Sequence, residues 1–177
     1  MSSEALRQWV ADQSGVETIW LHPNAPRPDS RPYATVRLNN SNRVHREVVG
    51  EPDGDGIATV TGDRDAILSI QIVGDSSRTQ DPRAPLEMVE LIRDTLELPS
   101  TRASLRAAGW VLREIEMITD IPAEVATGWE PRAAMDVRFG RVVSQTDDVG
   151  LIESTEVSGT AKTADGGELE IDFNVEA

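Results

Sequence analysis

Three stretches of the chain alternate apolar and polar residues with a period of two, and this alternation constrains the fold more than any other feature. In ELEIDFNVE (168–176), Leu169, Ile171, Phe173 and Val175 fall on one side, against Glu168, Glu170, Asp172, Asn174 and Glu176 on the other. In DAILSIQIVG (65–74), Leu68, Ile70 and Ile72 oppose Ser69 and Gln71. In AAMDVRF (133–139), Met135, Val137 and Phe139 oppose Ala134, Asp136 and Arg138. Successive strand side chains point to opposite faces, so each run reads as a strand with one face on a core and one in polar surroundings.

The remaining segments supply helices to cover that core. SSEALRQWVADQS (2–14) has a serine cap, an early glutamate and apolar residues at Leu6, Trp9 and Val10, with Gly15 where such a helix ends. VETIWL (16–21) and YATVRL (33–38) read as strands around the proline-rich loop 22–32. Polar residues 39–56 read as a long excursion or hairpin, and IATVTG (57–62) as a strand joined to DAILSIQIVG by a tight turn at Gly62-Asp63. Asp81-Pro82 marks a helix start, and Pro85, Met88, Val89, Ile92 and Leu96 form its apolar stripe. Pro99 is expected to end that helix and Ser100 to cap a shorter one stopped by Gly109. WVLREIEM (110–117) alternates as a strand, 118–128 reads as a loop, and residues 151–160 and 168–176 flank the turn ADGG. The expected fold is α+β: a mainly antiparallel sheet with an amphipathic helix pair and the N-terminal helix packed on one face, closed by a C-terminal β-hairpin.

Composition narrows the function. The 177 residues suffice for one domain with a core, which must rest on Val, Ile, Leu and Ala because aromatics are only 4%. No cysteine is present, which removes disulfides, thiol catalysis and thiolate metal sites and fits intracellular assembly. No apolar run approaches the roughly 18 residues of a membrane span, and the N-terminus lacks the pattern of a signal peptide. Thirty-one acids against 17 bases give a net charge of −14, which disfavours tight nucleic-acid binding. All bases but Lys162 are arginine. A GC-rich genome and a salt-loving host both account for that bias.

No pattern of residues supports catalysis. His22 and His45 sit in separate polar loops without a metal-ligand spacing. Asp53, Asp55, Asp63 and Asp65 fail the calcium-loop pattern, because Ile57 stands where an oxygen ligand is needed, and they read as turn residues. No GxSxG elbow, Walker loop or GxGxxG occurs. The expectation is therefore a protein that is not an enzyme and carries no catalytic residue, metal or cofactor.

The arginines remain to be explained. Arg113, Arg132, Arg138 and Arg141 gather on one strand and its neighbour, together with Glu114, Glu116 and Asp136. The guanidinium fork pairs bidentately with carboxylates, so this pattern suits either a polar contact between subunits or a solvated sheet face with internal pairs. The order of elements then adds a likeness. ETIWLHPNAPRP, RPYATVRL, LSIQIVG, the helix pair closing on AAGW, and WEPRAAMDVRF occur in an arrangement that resembles the neck and tail-terminator proteins of long-tailed bacterial and archaeal viruses. The similarity spans about residues 5–158. It implies a domain over 1–158, with 159–177 an acidic hairpin extension of that domain.

The resemblance implies a virion protein of the neck, assembled in the host cytoplasm, that forms a homo-hexameric ring capping the tail tube. Its implied partners are other copies of itself, the tail-tube protein and a head-completion or connector protein, with DNA passing transiently through the lumen and no membrane. Trp129, Glu130, Arg132 and Ala133, which match the family's strand, are expected to define the subunit contact or brace its loop, and the charge pattern adds Arg113, Asp136 and Arg138. Another head–tail connector or a tail-tube ring protein is the alternative; a tube protein would present a long hairpin, for which 39–56 is the candidate. A small acidic ligand-binding module is a third reading, which a mass measurement separates from a ring.

Overall fold

The computed structural model describes residues 3–24, 26–75, 81–125, 128–150, 154–162, 165–166 and 168–176. Its elements in chain order are α1 (Glu4–Ser14), β1 (Glu17–Trp20), β2 (Tyr33–Arg43), β3 (Val48–Val49), β4 (Ile57–Val73), α2 (Ala84–Thr95), α3 (Pro99–Ala107), β5 (Val111–Ile115), β6 (Thr119–Asp120), β7 (Ala123–Val125), β8 (Gly128–Glu130), β9 (Arg132–Asp148), β10 (Ser154–Lys162) and β11 (Glu168–Glu176). The main sheet runs β1-β2-β4-β9-β5, with β3 paired to β4 and β6 to β9. β1 joins β2 in parallel; the pairings of β2 and β3 with β4, and of β5 and β6 with β9, are antiparallel. This is the α+β architecture that alternation predicts.

The even residues of β4 and the odd residues of β9 face one core. Ala66, Leu68, Ile70, Ile72, Ala133, Met135, Val137 and Phe139 cluster with Leu6, Trp9 and Val10 of α1, Val89 and Ile92 of α2, and Leu105 of α3. All three helices thus bury their apolar stripes on the same side of the sheet. Phe139 sits at the centre, with the rings of Trp9 and Trp110 each edge-on to it at 6.3 Å. Two indoles on one phenylalanine account for much of a core otherwise short of aromatics.

Local structure departs from the sequence-based expectation at several points. β4 passes straight through Gly62-Asp63, so there is no hairpin between 57–62 and 65–74. The reason is phase: Ala58, Ala66, Leu68, Ile70 and Ile72 are all even-numbered and buried, and Gly62 is buried with them. One alternation outweighs a two-residue turn signal, and three partners serve the strand: β9, β2 over Arg64 to Val73, and β3 at Val60 and Thr61. Asp81 begins a turn rather than the helix. Its Oδ1 accepts the Arg83 N–H at 2.9 Å, and α2 opens three residues later. Pro99 starts α3 at its first turn, where a missing N–H costs nothing, instead of ending α2 from outside. Ser3 stands at the α1 N-cap without a side-chain cap bond. Glu4 does other work there: Arg7 and then the Trp20 indole donate to it, which holds its carboxyl below the usual carboxylate range. Residues 118–128 are not plain loop, since they carry β6 and one arm of the β7–β8 hairpin.

Two compact units divide the chain: Met1–Arg46 with Gly62–Val143, and Glu47–Thr61 with Ser144–Ala177. In the second, β10 and β11 form an antiparallel hairpin from Ser154↔Glu176 to Lys162↔Glu168. The expected facing of Leu169, Ile171, Phe173 and Val175, and parts of the ADGG turn, lie outside the described residues. The EPDGDG segment is a turn in which Asp53 Oδ1 accepts the N–H groups of Asp55 and Ile57, both at 3.0 Å. That accounts for Asp53 as a turn residue.

Gly74 follows β4 at a crowded corner. Its N–H donates to the Pro131 carbonyl at 2.8 Å, and an added Cβ would lie 2.8 Å from Pro85 Cγ and 2.9 Å from Pro131 Cγ. Neither ring can swing away. Gly74→Ala is expected to destabilise by about 1–3 kcal/mol, as overpacking does; a shift of the urea midpoint at constant slope measures it.

Candidate subunit interface

The stretch GWEPR builds a bracket between two structures. Gly128–Glu130 pairs back on Ala123–Val125 as a small separate hairpin, and after Pro131 the chain enters β9. Gly128 adopts φ 123°, a conformation open to glycine and strained for other residues. The two neighbours on this hairpin point opposite ways. Trp129 is 65% exposed, whereas Glu130 is completely buried.

A buried carboxylate needs partners, and Glu130 has two. Arg132 donates to Oε1 through Nε at 2.7 Å and pairs through Nη2 at 2.5 Å, and Arg31 pairs with Oε2. Arg31 also lies over the Tyr33 ring, 5.9 Å from its centroid, and reaches the Gly74 carbonyl at 3.5 Å. Glu130 and Arg132 are therefore engaged within one protomer, where they clamp the hairpin base to the segment before β2. Arg31 was not singled out from the sequence. Its signal is weak there, since Arg31-Pro32 lies in a loop about a hundred residues from its partner.

The polar side of the sheet explains the other arginines. Arg113 on β5 crosses β9 at Gly140 toward Asp63 and Asp65 on β4, with N···O separations of 3.9 and 3.8 Å. A Cβ at Gly140 would run into the guanidinium, so the glycine leaves the path for a side chain spanning three strands. Gly140→Ala is expected to change stability by less than about 1 kcal/mol. The flexible guanidinium gives way, and the loss of exposed pairs is offset by a stiffer unfolded chain. In an Arg113→Ala background the same substitution is expected to be neutral or stabilising, which a denaturation cycle resolves.

Arg138 faces Glu114 directly across the β5–β9 ladder, with Nη1 3.2 Å from Oε2. Both are about half exposed, so this pair contributes under about 1 kcal/mol and remains available to other partners. Asp136 is half-buried beside them, its carbonyl accepting the Glu116 N–H at 2.9 Å. Arg141 stacks over Trp110 at 5.5 Å. The structure therefore brings Arg113, Asp136 and Arg138 together on β5 and β9, places Arg132 with Glu130 at the hairpin base, and leaves Trp129 outward.

Beside this polar face lie four of the exposed large apolar side chains among the described residues. Val111, Met117, Ile121 and Trp129 are 40%, 84%, 36% and 65% exposed, on the edge strand β5 and the chain that follows it. An edge strand with unpaired backbone groups and adjacent apolar residues is the kind of surface another chain covers.

No curated protein matches the chain. A family model described as phage neck terminator protein matches residues 3–165, which takes in α1, the whole main sheet, the Trp129 hairpin and all of β10. With that match over nearly its full length, the chain belongs to the phage neck terminator protein family and is a structural component of the virion neck.

Proposed function

We propose that the protein forms a six-fold ring on the last ring of the tail tube, stops its polymerisation and presents a surface to the head-completion protein. Genome DNA passes through the centre without sequence-specific contact. The family match supports the neck role, and the exposed side chains of Val111, Met117, Ile121 and Trp129 beside the edge strand carry the proposal of self-association. A ring needs two different surfaces per subunit that fit one another, and this edge with its mixed-charge face is a candidate for one of them. In this reading Trp129 is a contact anchor, Glu130 and Arg132 brace it from within, and Arg113, Asp136 and Arg138 fix register by charge. Residues 159–177 extend the terminator domain as an acidic hairpin. Virion assembly in the host cytoplasm and a non-catalytic role complete the reading.

Six copies at −14 each carry −84. Carboxylates around a lumen keep phosphate from sticking, but they also push the subunits apart. Mobile ions screen that repulsion over about 8 Å at physiological salt. The ring is thus expected to persist at high ionic strength and to dissociate on dilution into low salt, as read by sedimentation. Trp129→Ala is expected to leave protomer stability within about 0.5 kcal/mol, because the ring is mostly in water, while abolishing assembly. A variant that still forms six-fold particles at wild-type concentrations would remove Trp129 from the contact.

A further inference from the structure

A groove of about 880 Å³ in the first compact unit opens on the polar side of β2. Its lining includes Trp20, His22, Arg27, Tyr33, Arg37 and Arg132. In a chain with 31 acids against 17 bases, no carboxylate lines this groove among the described residues. Among the described residues, the carboxylates bonded to lining side chains are already engaged: Glu4 with Arg7 and Trp20, and Glu130 with Arg31 and Arg132. Arg27 and Arg37 are exposed, and neither has an ion-pair partner among the described residues. An arginine-lined cleft clear of acids, in a protein whose surface is otherwise strongly acidic, is complementary to an anion.

We propose that this groove receives an extended acidic segment from a second copy of the chain, residues 168–176. The inference rests on the ring reading, in which copies meet through unlike surfaces. The segment ELEIDFNVE carries Glu168, Glu170, Asp172 and Glu176 and no base. As β11 it has β10 on one side, and its other edge is unpaired among the described residues. Acids two residues apart on a strand recur about 6.6–6.8 Å apart on one side, a spacing suited to successive guanidiniums. Groove and segment belong to different compact units of the chain, so each copy carries both halves of a head-to-tail contact. Nucleic acid is the weaker fit to the same arginines, because the −14 chain repels a polyanion as a whole.

The test uses the full-length protein and a fluorescein-labelled peptide of residues 168–176, followed by anisotropy at physiological salt. Saturable binding is expected, weakened at least tenfold by Arg27→Glu/Arg37→Glu. The milder Arg27→Gln/Arg37→Gln pair reads the same contact if charge reversal perturbs folding. Assembly provides the second readout. Arg27→Glu/Arg37→Glu and Glu168→Arg/Glu170→Arg are each expected to lose the ring by native mass measurement, and the chain combining all four is expected to regain it. Absent binding, equal binding by wild type and variant, or tighter binding of an oligothymidine of matched charge overturns the proposal whether or not rings form. A wild-type protein that binds the peptide but never forms rings removes the ring reading and leaves the groove's preference for an acidic strand in place.

Discussion

Glu130→Ala is expected to lower the stability of the protomer by about 3 kcal/mol. Breaking a buried ion pair from one side typically costs 3–5 kcal/mol, because the remaining charge loses its partner without regaining full hydration. Glu130 is completely buried, while its partners Arg31 and Arg132 are 27% and 22% exposed. Both guanidiniums can reach some water once the carboxylate is gone, which places the expectation at the lower end. The loss should be local in origin: the hairpin carrying Trp129 comes free of the segment before β2. Urea denaturation gives the magnitude, and proteolysis near 123–130 reports the loosened hairpin. Arg132→Ala is expected to cost less, since Arg31 still neutralises Glu130, and the double variant Glu130→Ala/Arg132→Ala less than the sum of the two. A Glu130→Ala protein within 1 kcal/mol of wild type would mean that the cluster does not hold the hairpin.

Phe139→Ala is expected to cost about 4 kcal/mol, within the range for emptying an aromatic site in a packed core. The ring is wholly buried and contacted edge-on by two tryptophans about a hundred residues apart in sequence, Trp9 on α1 and Trp110 ahead of β5. Both indoles are themselves rigidly held, so the cavity has little means of collapsing. With total stabilities near 5–15 kcal/mol for domains generally, the variant should remain folded at low temperature but melt well below wild type. Phe139→Leu keeps most of the volume and should recover more than half of the loss. Calorimetry on the pair distinguishes a packing defect from a general failure to fold. Equal melting of the two variants would show that the aromatic contacts, rather than the filled volume, carry the stabilisation.

Much of this was legible because period and composition act locally. The buried sets of β4 and β9 follow from alternation alone, and the apolar stripes of α1 and α2 from helical spacing. The α+β layering then follows, since stripes and alternating faces have only one another to cover them. Local turn chemistry misled at Gly62-Asp63, where the turn-like pair lies inside a strand whose phase never changes. The pattern 118–128 concealed short strands, because two- and three-residue pairings depend on the neighbour they meet and leave no periodicity.

The candidate interface residues divide along the same line. Charge and residue type marked Arg113, Arg132, Asp136 and Arg138 as a group, the resemblance added Trp129 and Glu130, and the layout of elements pointed to the neck terminator family that the match over 3–165 establishes. Side-chain direction was not legible. Trp129 and Glu130 are adjacent in the chain, yet one is in water and the other is sealed beneath two arginines. The Arg113 path over Gly140 to Asp63 and Asp65 joins residues about fifty positions apart. By itself the sequence determined which faces are apolar, because that depends on residue order alone. Only the tertiary structure decided which charges are satisfied within the protomer and which stay exposed, because a charge finds its counterion through space.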